Sequence, residues 1–427
     1  MNLRRFVGLA AALLWAAAAL AAAEDAAPLL IRNAVIHPVT SGEITGSLLV
    51  KDGLIAEIGD KLQVPKGAKV LDAKGAHLYP GMIDSATMMG LTEISSIRET
   101  QDASELGDFN PQLRTIVAIN PGSEHIPVAR ANGITSVITI PSGSVIGGQT
   151  ALIHMDGWTW EDMAILKSAA MHLIFPVMSG GGGRRGGGGA GSAFSETQRR
   201  YEERKQKLAQ FFEEARRYQK AKAAKMAGFK TDLKFEAMLP VLDRKLPLMV
   251  VAVRERAIKD AIAFSDKEHV RIVLAQVREP GSTIPDLKAK NIPVILPETF
   301  ALPLEEDDPY DSAFTLASDL FKGGVLFAFG TFDSSFVRNL PYQAANAAAF
   351  GLPQQEALKA VTINAARIWG VEDKIGSIEK GKWADFILTD GDPLETRTQI
   401  KQMFIRGREV NLENRHTRLY QRYMNRP

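Results

Sequence analysis

A chain of 427 residues is longer than one hydrophobic core comfortably grows, so one large domain with one small one is expected. Hydrophobic residues make up 45% and charged residues 23%, close to soluble globular averages, which excludes a disordered chain and a polytopic membrane protein. Basic residues number 51 and acidic residues 49; no overall field recruits nucleic acid or anionic lipid, and partners must be sought at local sites.

The first segment, "MNLRRFVGLAAALLWAAAALAAAEDAAP", carries two arginines, an uncharged Ala/Leu-rich run and small residues before Glu24. This is the layout of a secretory signal peptide over residues 1–23, with Ala19-Leu20-Ala21 or Ala21-Ala22-Ala23 before the cut. An uncleaved anchor competes, because Phe6–Ala23 is 18 residues long, enough to span a bilayer. The reading adopted is a periplasmic or secreted protein with no stable membrane insertion after cleavage. The chain has no cysteine, which removes disulfides and thiolate chemistry.

Short β-rich runs broken by turn residues follow: "LLIRNAVIHPV", "GSLLVKDGLIAEIGD" and "AKVLDAKGAHLYPG". Asp52-Gly53 between two apolar runs predicts a type I′ hairpin, whose central residues both need positive φ. "GSIEKGKWADFILTDGDPLE" and "IKQMFIRGREV" near the other end have the same texture. Residues 28–80 and 371–412 are therefore expected to close one β-sandwich.

Between them, over residues 81–370, strand-length apolar runs alternate with helical stretches, the pattern of βα units and a parallel sheet. Eight strands are predicted: Met82–Met88, Thr135–Ile140, Thr150–Met155, His172–Val177, Leu248–Val253, Arg271–Gln276, Ile292–Leu296 and Val325–Gly330. Eight is the number that closes a (β/α)8 barrel, whose chemistry sits at the C-terminal strand ends. Residues 179–195, "SGGGGRRGGGGAGSAFS", interrupt the rhythm and read as a flexible surface loop. The glycines and Arg184-Arg185 lack the frame a phosphate cradle needs. A charged helix is expected over 196–228, solvated and supported by i, i+4 pairs such as Glu203 with Lys207.

"LYPGMID", together with "RNLPYQAANAAAFGLPQQEALKAVTINAARIWGVEDKIGSIEKGKWADFILTDGDPLE" near the end, resembles the amidohydrolase superfamily, in particular its imidazolonepropionase-like and dipeptidase-like members. The resemblance covers about Leu29 to Val410. It implies a (β/α)8 barrel flanked by a β-sandwich, hydrolysing C–N bonds with one or two divalent metals such as zinc. The family's ligands are a His-x-His ending strand 1, an acidic or carboxylated-lysine bridge on strand 3 or 4, one histidine each on strands 5 and 6, and an aspartate on strand 8. Neutral imidazoles suit such ions, and metal-bound water loses a proton near neutral pH.

Carried over onto this chain, the pattern fails at four positions. Ala86 and Met88 occupy the His-x-His slots of "IDSATM", Val251 the strand 5 slot and Gln276 the strand 6 slot. Methyl and isopropyl groups donate nothing, a thioether favours soft ions and a neutral amide binds zinc weakly. Asp333 in "FAFGTFDSS" keeps the family's aspartate. Seven histidines are present, none spaced as His-x-His. His154, ending strand 3, is the one expected to face the barrel mouth, either as a catalytic or metal-binding partner of Asp333 or as a hydrogen-bonded interior residue. Asp84, Glu93, Glu279 and Glu298 near strand ends offer a rebuilt carboxylate site or ordinary barrel-rim charges. Gln276, Trp158 and Trp160 are candidate substrate-binding residues, the tryptophans lining a pocket or closing the barrel top.

Three readings follow. The first is an exported family member without metal cofactor or hydrolase activity, acting as a binding or partner subunit beside an intact relative or as a homo-oligomer. The second is an active hydrolase with a non-standard site around Asp333 and His154. The third is a periplasmic protein binding a small molecule in the barrel mouth.

Overall fold

The computed structural model describes residues 27–177 and 190–426, with side chains described outside 190–194. The expected signal peptide and most of the glycine-rich segment 179–195 lie outside the described residues. In chain order the strands are β1 (Leu29–Ile36), β2 (Ile44–Lys51), β3 (Leu54–Gly59), β4 (Lys69–Asp72), β5 (His77–Pro80), β6 (Met82–Thr87), β7 (Ile134–Thr139), β8 (Ile146–His154), β9 (Ala164–Ile174), β10 (Leu248–Val251), β11 (Ile272–Ala275), β12 (Val294–Leu296), β13 (Phe327–Phe329), β14 (Phe386–Thr389), β15 (Ile400–Ile405) and β16 (Arg408–Val410).

Both chain ends build one sheet, in the order β16-β15-β14-β5-β1-β2-β3, with β4 also pairing β1. The closing pair is β14 with β5, Phe386 opposite Pro80. Hydrogen bonding thus makes one continuous sheet of what the sequence suggested as a sandwich. One face buries Ile31, Leu48, Leu78, Phe386 and Phe404 in a cluster of its own. The other sends Tyr79, Ile387, Met403 and Ile405 against the barrel. Asp52 (φ 53°) and Gly53 (φ 75°) form the expected hairpin, with Lys51 opposite Leu54.

The second sheet runs β13-β12-β11-β10-β9-β8-β7-β6 and curls into a nearly closed barrel. All eight expected strands are present, but they are not all parallel. β8 is antiparallel to both neighbours: Ser136 pairs with His154 and Thr150 with Ala170. The cause is connection length. Six residues, 140–145, separate β7 from β8, too few for the crossover that a parallel pair needs. β9 also starts earlier than expected, at Ala164.

The seam between β13 and β6 is stitched by other means. Phe332 N–H donates to the Ala86 carbonyl at 2.7 Å and Met88 N–H to the Asp333 carbonyl at 3.2 Å. Gly330 permits this approach, since a Cβ there would lie 2.8 Å from the Ala86 Cβ. Inside, Ile83, Ala86, Ile138, Leu152, Ala170, Met249, Val273, Ile295 and Ala328 form a packed apolar layer, as barrels of this size require.

The charged helix spans Ala190–Ala223, not 196–228, and it is not solvated all round. Tyr201, Leu208, Phe211, Phe212 and Ala215 are buried on one stripe, with Phe212 edge-on to Phe264 and Phe211 stacked on Phe109. Glu203 pairs with Arg199 at 3.5 Å rather than with Lys207.

Candidate functional site

The C-terminal ends of β11, β12 and β13 surround a cavity of about 540 Å³, lined by Gln276, Arg278, Glu298, Thr331, Asp333 and Gln343 with the rings of Phe300, Phe332 and Phe336. That volume falls within the range of small-molecule sites. Gln276 (φ 57°) and Phe332 (φ 52°) both hold left-handed backbone, which costs non-glycine residues free energy and clusters at ligand sites. Arg278 is neutralised by Glu298 at 2.6 Å. Gln343 is 2% exposed, and its side-chain oxygen has no hydrogen-bond partner. Asp333 Oδ1 accepts from the N–H groups of Ser335 (2.5 Å) and Phe336 (2.9 Å). Asp333 therefore caps the turn that follows β13.

Beneath it lies Asp84. Its Oδ1 accepts from the N–H groups of Ala86 and Thr331, and its Oδ2 accepts from the Thr331 hydroxyl at 2.6 Å. Complete burial pushes this carboxyl up to about 7; the Thr331 and Ala86 bonds oppose the rise and nearby Asp333 adds to it. The Asp84–Thr331 link pins β6 to β13 and was not evident from sequence, because the partners are 247 positions apart.

The four expected ligand positions do not form one pocket. Ala86 is fully buried in the inner layer and Val251 packs beside it. β6 ends at Thr87, so Met88 leaves the strand and packs against the outer cluster. The period-two argument that puts positions 86 and 88 on one face is thus lost at a β-bulge between Asp84 and Thr87. Only Gln276 meets Asp333 in the mouth. Among the described residues, no three His, Cys, Asp or Glu side chains gather where they could hold a metal ion. The donors present do not fit a divalent metal, which needs three or four. The Glu279 carboxylate faces Arg254 at 3.5 Å and the Glu93 carboxylate faces Asn120 at 3.5 Å, so neither joins Asp84 in a carboxylate cluster.

His154 stands elsewhere. Because β8 runs backwards, its C-terminal end lies at the foot of the barrel, opposite the mouth. There His154 Nε2 meets Asp385 Oδ2 at 2.8 Å, both side chains 3% exposed. Asp385 Oδ1 accepts from the Arg406 N–H at 2.7 Å, while the Asp385 carbonyl accepts from Gly81 N–H. The pair bolts the barrel to the flanking sheet. Trp158 and Trp160 follow β8 and share this displacement. Trp158, 94% exposed, lines a cleft of about 1430 Å³ with Arg130, Trp383, Arg406 and Arg418; Trp160 lies under Lys167. Neither closes the barrel top.

Residues 284–410 match the family model described as Amidohydrolase family. An amidohydrolase of Hapsidospora irregularis is 24% identical over 430 residues, covering 89% of this chain and 43% of its own length. An imidazolonepropionase of Shewanella baltica is 54% identical over 41 residues, 10% of each chain. The chain thus spans less than half the length of these curated relatives. The crystal structure of an amidohydrolase from Thermotoga maritima superposes with a TM-score of 0.76 at 27% identity, over 90% of this chain and 99% of the other.

Proposed function

Since the chain belongs to the amidohydrolase superfamily, we propose that it is an exported member which has lost metal-dependent C–N hydrolysis and serves as a binding or partner subunit. One observation carries this reading: at the positions the family uses for ligands, Ala86 and Val251 complete an apolar layer, Met88 turns to the outer cluster, and Gln276 is left with Asp333. An active site built on Asp333 with His154 has no support, because the two stand at opposite ends of the barrel and each is engaged by neighbours.

A specific feature favours a small molecule in the mouth as the bound species. The buried, unpartnered oxygen of Gln343 beside three phenylalanine rings suits an apolar ligand that presents an N–H or O–H donor, since an unmade buried hydrogen bond is costly. The test is thermal. For protein purified from Glu24 onward, chelator treatment leaves Tm unchanged and added zinc does not raise it, because a metal held only by the native state stabilises it by mass action. A chelator-induced fall in Tm reversed by zinc overturns the reading. Export is checked separately, by N-terminal sequencing of periplasmic protein, which should start between residues 21 and 24.

A further inference from the structure

Residues Arg415–Met424 form a helix with no buried side chain. Asn414 caps it by accepting from the N–H groups of His416 and Thr417. It is held to the body by Arg418 with Glu124 at 2.9 Å and by Arg338, which donates to His416. At 3.6 residues per turn, Leu419, Tyr423, His416, Tyr420 and Met424 follow one another within an arc of about 140°. Arg415, Arg418 and Arg422 occupy the adjoining arc. Tyr420 is 60% and Met424 63% exposed. From Arg415 to Arg426 there are four arginines and no acidic residue, and the guanidiniums of Arg422 and Arg426 lie over the Tyr423 ring. The exposed Trp158 lines the same cleft as Arg418.

We propose that the helix Arg415–Met424, with Trp158 beside it, is a docking surface for an anionic phospholipid membrane. An apolar arc bounded by arginines is the composition of helices that lie in the headgroup layer, where tyrosine and tryptophan rings also settle. Arginine pairs with lipid phosphate in bidentate fashion, and a local basic cluster attracts an anionic surface although the whole chain is nearly neutral. Attachment is peripheral: no helix among the described residues is long and apolar enough to cross a membrane. A rival occupant is the loop of a second copy carrying exposed Glu305, Glu306 and Asp307 beside exposed Phe300, Leu302 and Tyr310; its Glu305 is already paired with Arg254, which leaves less free charge for the arginines than an anionic lipid surface offers.

The assay uses the chain from Glu24 onward, which keeps the whole described fold, because the apolar run Phe6–Ala23 would bind vesicles by itself. Vesicles of phosphatidylcholine containing phosphatidylglycerol should sediment the protein at low salt and release it at high salt; pure phosphatidylcholine should not. The triple variant Arg415→Gln, Arg422→Gln, Arg426→Gln should lose about tenfold or more in affinity, at roughly tenfold per 1.4 kcal/mol. Tyr420→Ser with Met424→Ser, which keeps every charge, should weaken binding independently. Tryptophan emission should shift to the blue on binding, and Trp158→Phe should abolish the shift. Equal binding to both vesicle types, or none to the anionic ones by protein with a native melting transition, overturns the proposal. So does concentration-dependent self-association that the arginine variant abolishes without any vesicle binding, which assigns the helix to a second copy.

Discussion

The two ends of the barrel are built on different principles. The foot is tied together: His154, Asp385, Gly81 and Arg406 exchange hydrogen bonds that join two sheets. The mouth keeps an open cavity, two strained residues and an unpaired amide oxygen. The polar groups at the foot serve stability, whereas at the mouth the Gln343 side-chain oxygen is left for a ligand. This matches the general division of labour in barrels, in which chemistry lives at the C-terminal strand ends and stability at the other.

The largest test of the contrast removes one histidine. His154→Ala leaves the Asp385 carboxylate buried without its partner and should cost roughly 3–5 kcal/mol of stability, read as a lower denaturation midpoint. Asp333→Ala at the mouth removes only a half-buried turn cap and should cost about 1 kcal/mol. Equal losses would break the distinction.

Next comes an attempt to refill the mouth. Ala86→His, Met88→His, Val251→His and Gln276→His restore the family's residue types, but Ala86 already touches the position a Cβ on Gly330 would take. Overpacking there should cost about 1–3 kcal/mol. Chemical denaturation of Ala86→His alone measures it; an unchanged midpoint would mean that the inner layer has room.

In the unmodified protein the smallest net effect is a pH slope, because two buried groups act in opposite directions. Asp84 has a folded value raised to about 7 from 3.8, so its stabilising contribution is present below about 4 and lost as pH rises through 7. Burial lowers His172 to about 4 from 6.5; its contribution is present above 6.5 and lost as pH falls toward 4. The two oppose each other across that interval. Asp84→Asn should therefore make the fold weaken on acidification, and His172→Leu should make it weaken as pH rises, each by at most about 1.4 kcal/mol per pH unit. Melting curves between pH 4 and 7 check both signs.

The barrel was legible because its strands are apolar runs bounded by turn residues, and the hairpin because Asp52-Gly53 has few other uses. The direction of β8 was missed although a signal existed: the stretch "PSGSV" between β7 and β8 is too short for a helical crossover. That single reversal moved His154, Trp158 and Trp160 from mouth to foot. Asp84–Thr331 was invisible because its partners meet only when β6 and β13 close the barrel, and the left-handed Gln276 because glutamine carries no local signal for positive φ. Positions 86, 88, 251 and 276 were singled out by resemblance, but the packing of Met88 away from Ala86 required the bulge in β6.

The central proposal, that this barrel holds no catalytic metal, is tested most directly by elemental analysis of protein purified from Glu24 onward without chelators. The account predicts far less than one zinc, manganese, iron or nickel ion per chain, before and after incubation with zinc and desalting. One tightly held ion per chain would contradict it, and Asp333, Asp84 and Gln276 would then be the first residues to substitute in search of the ligands.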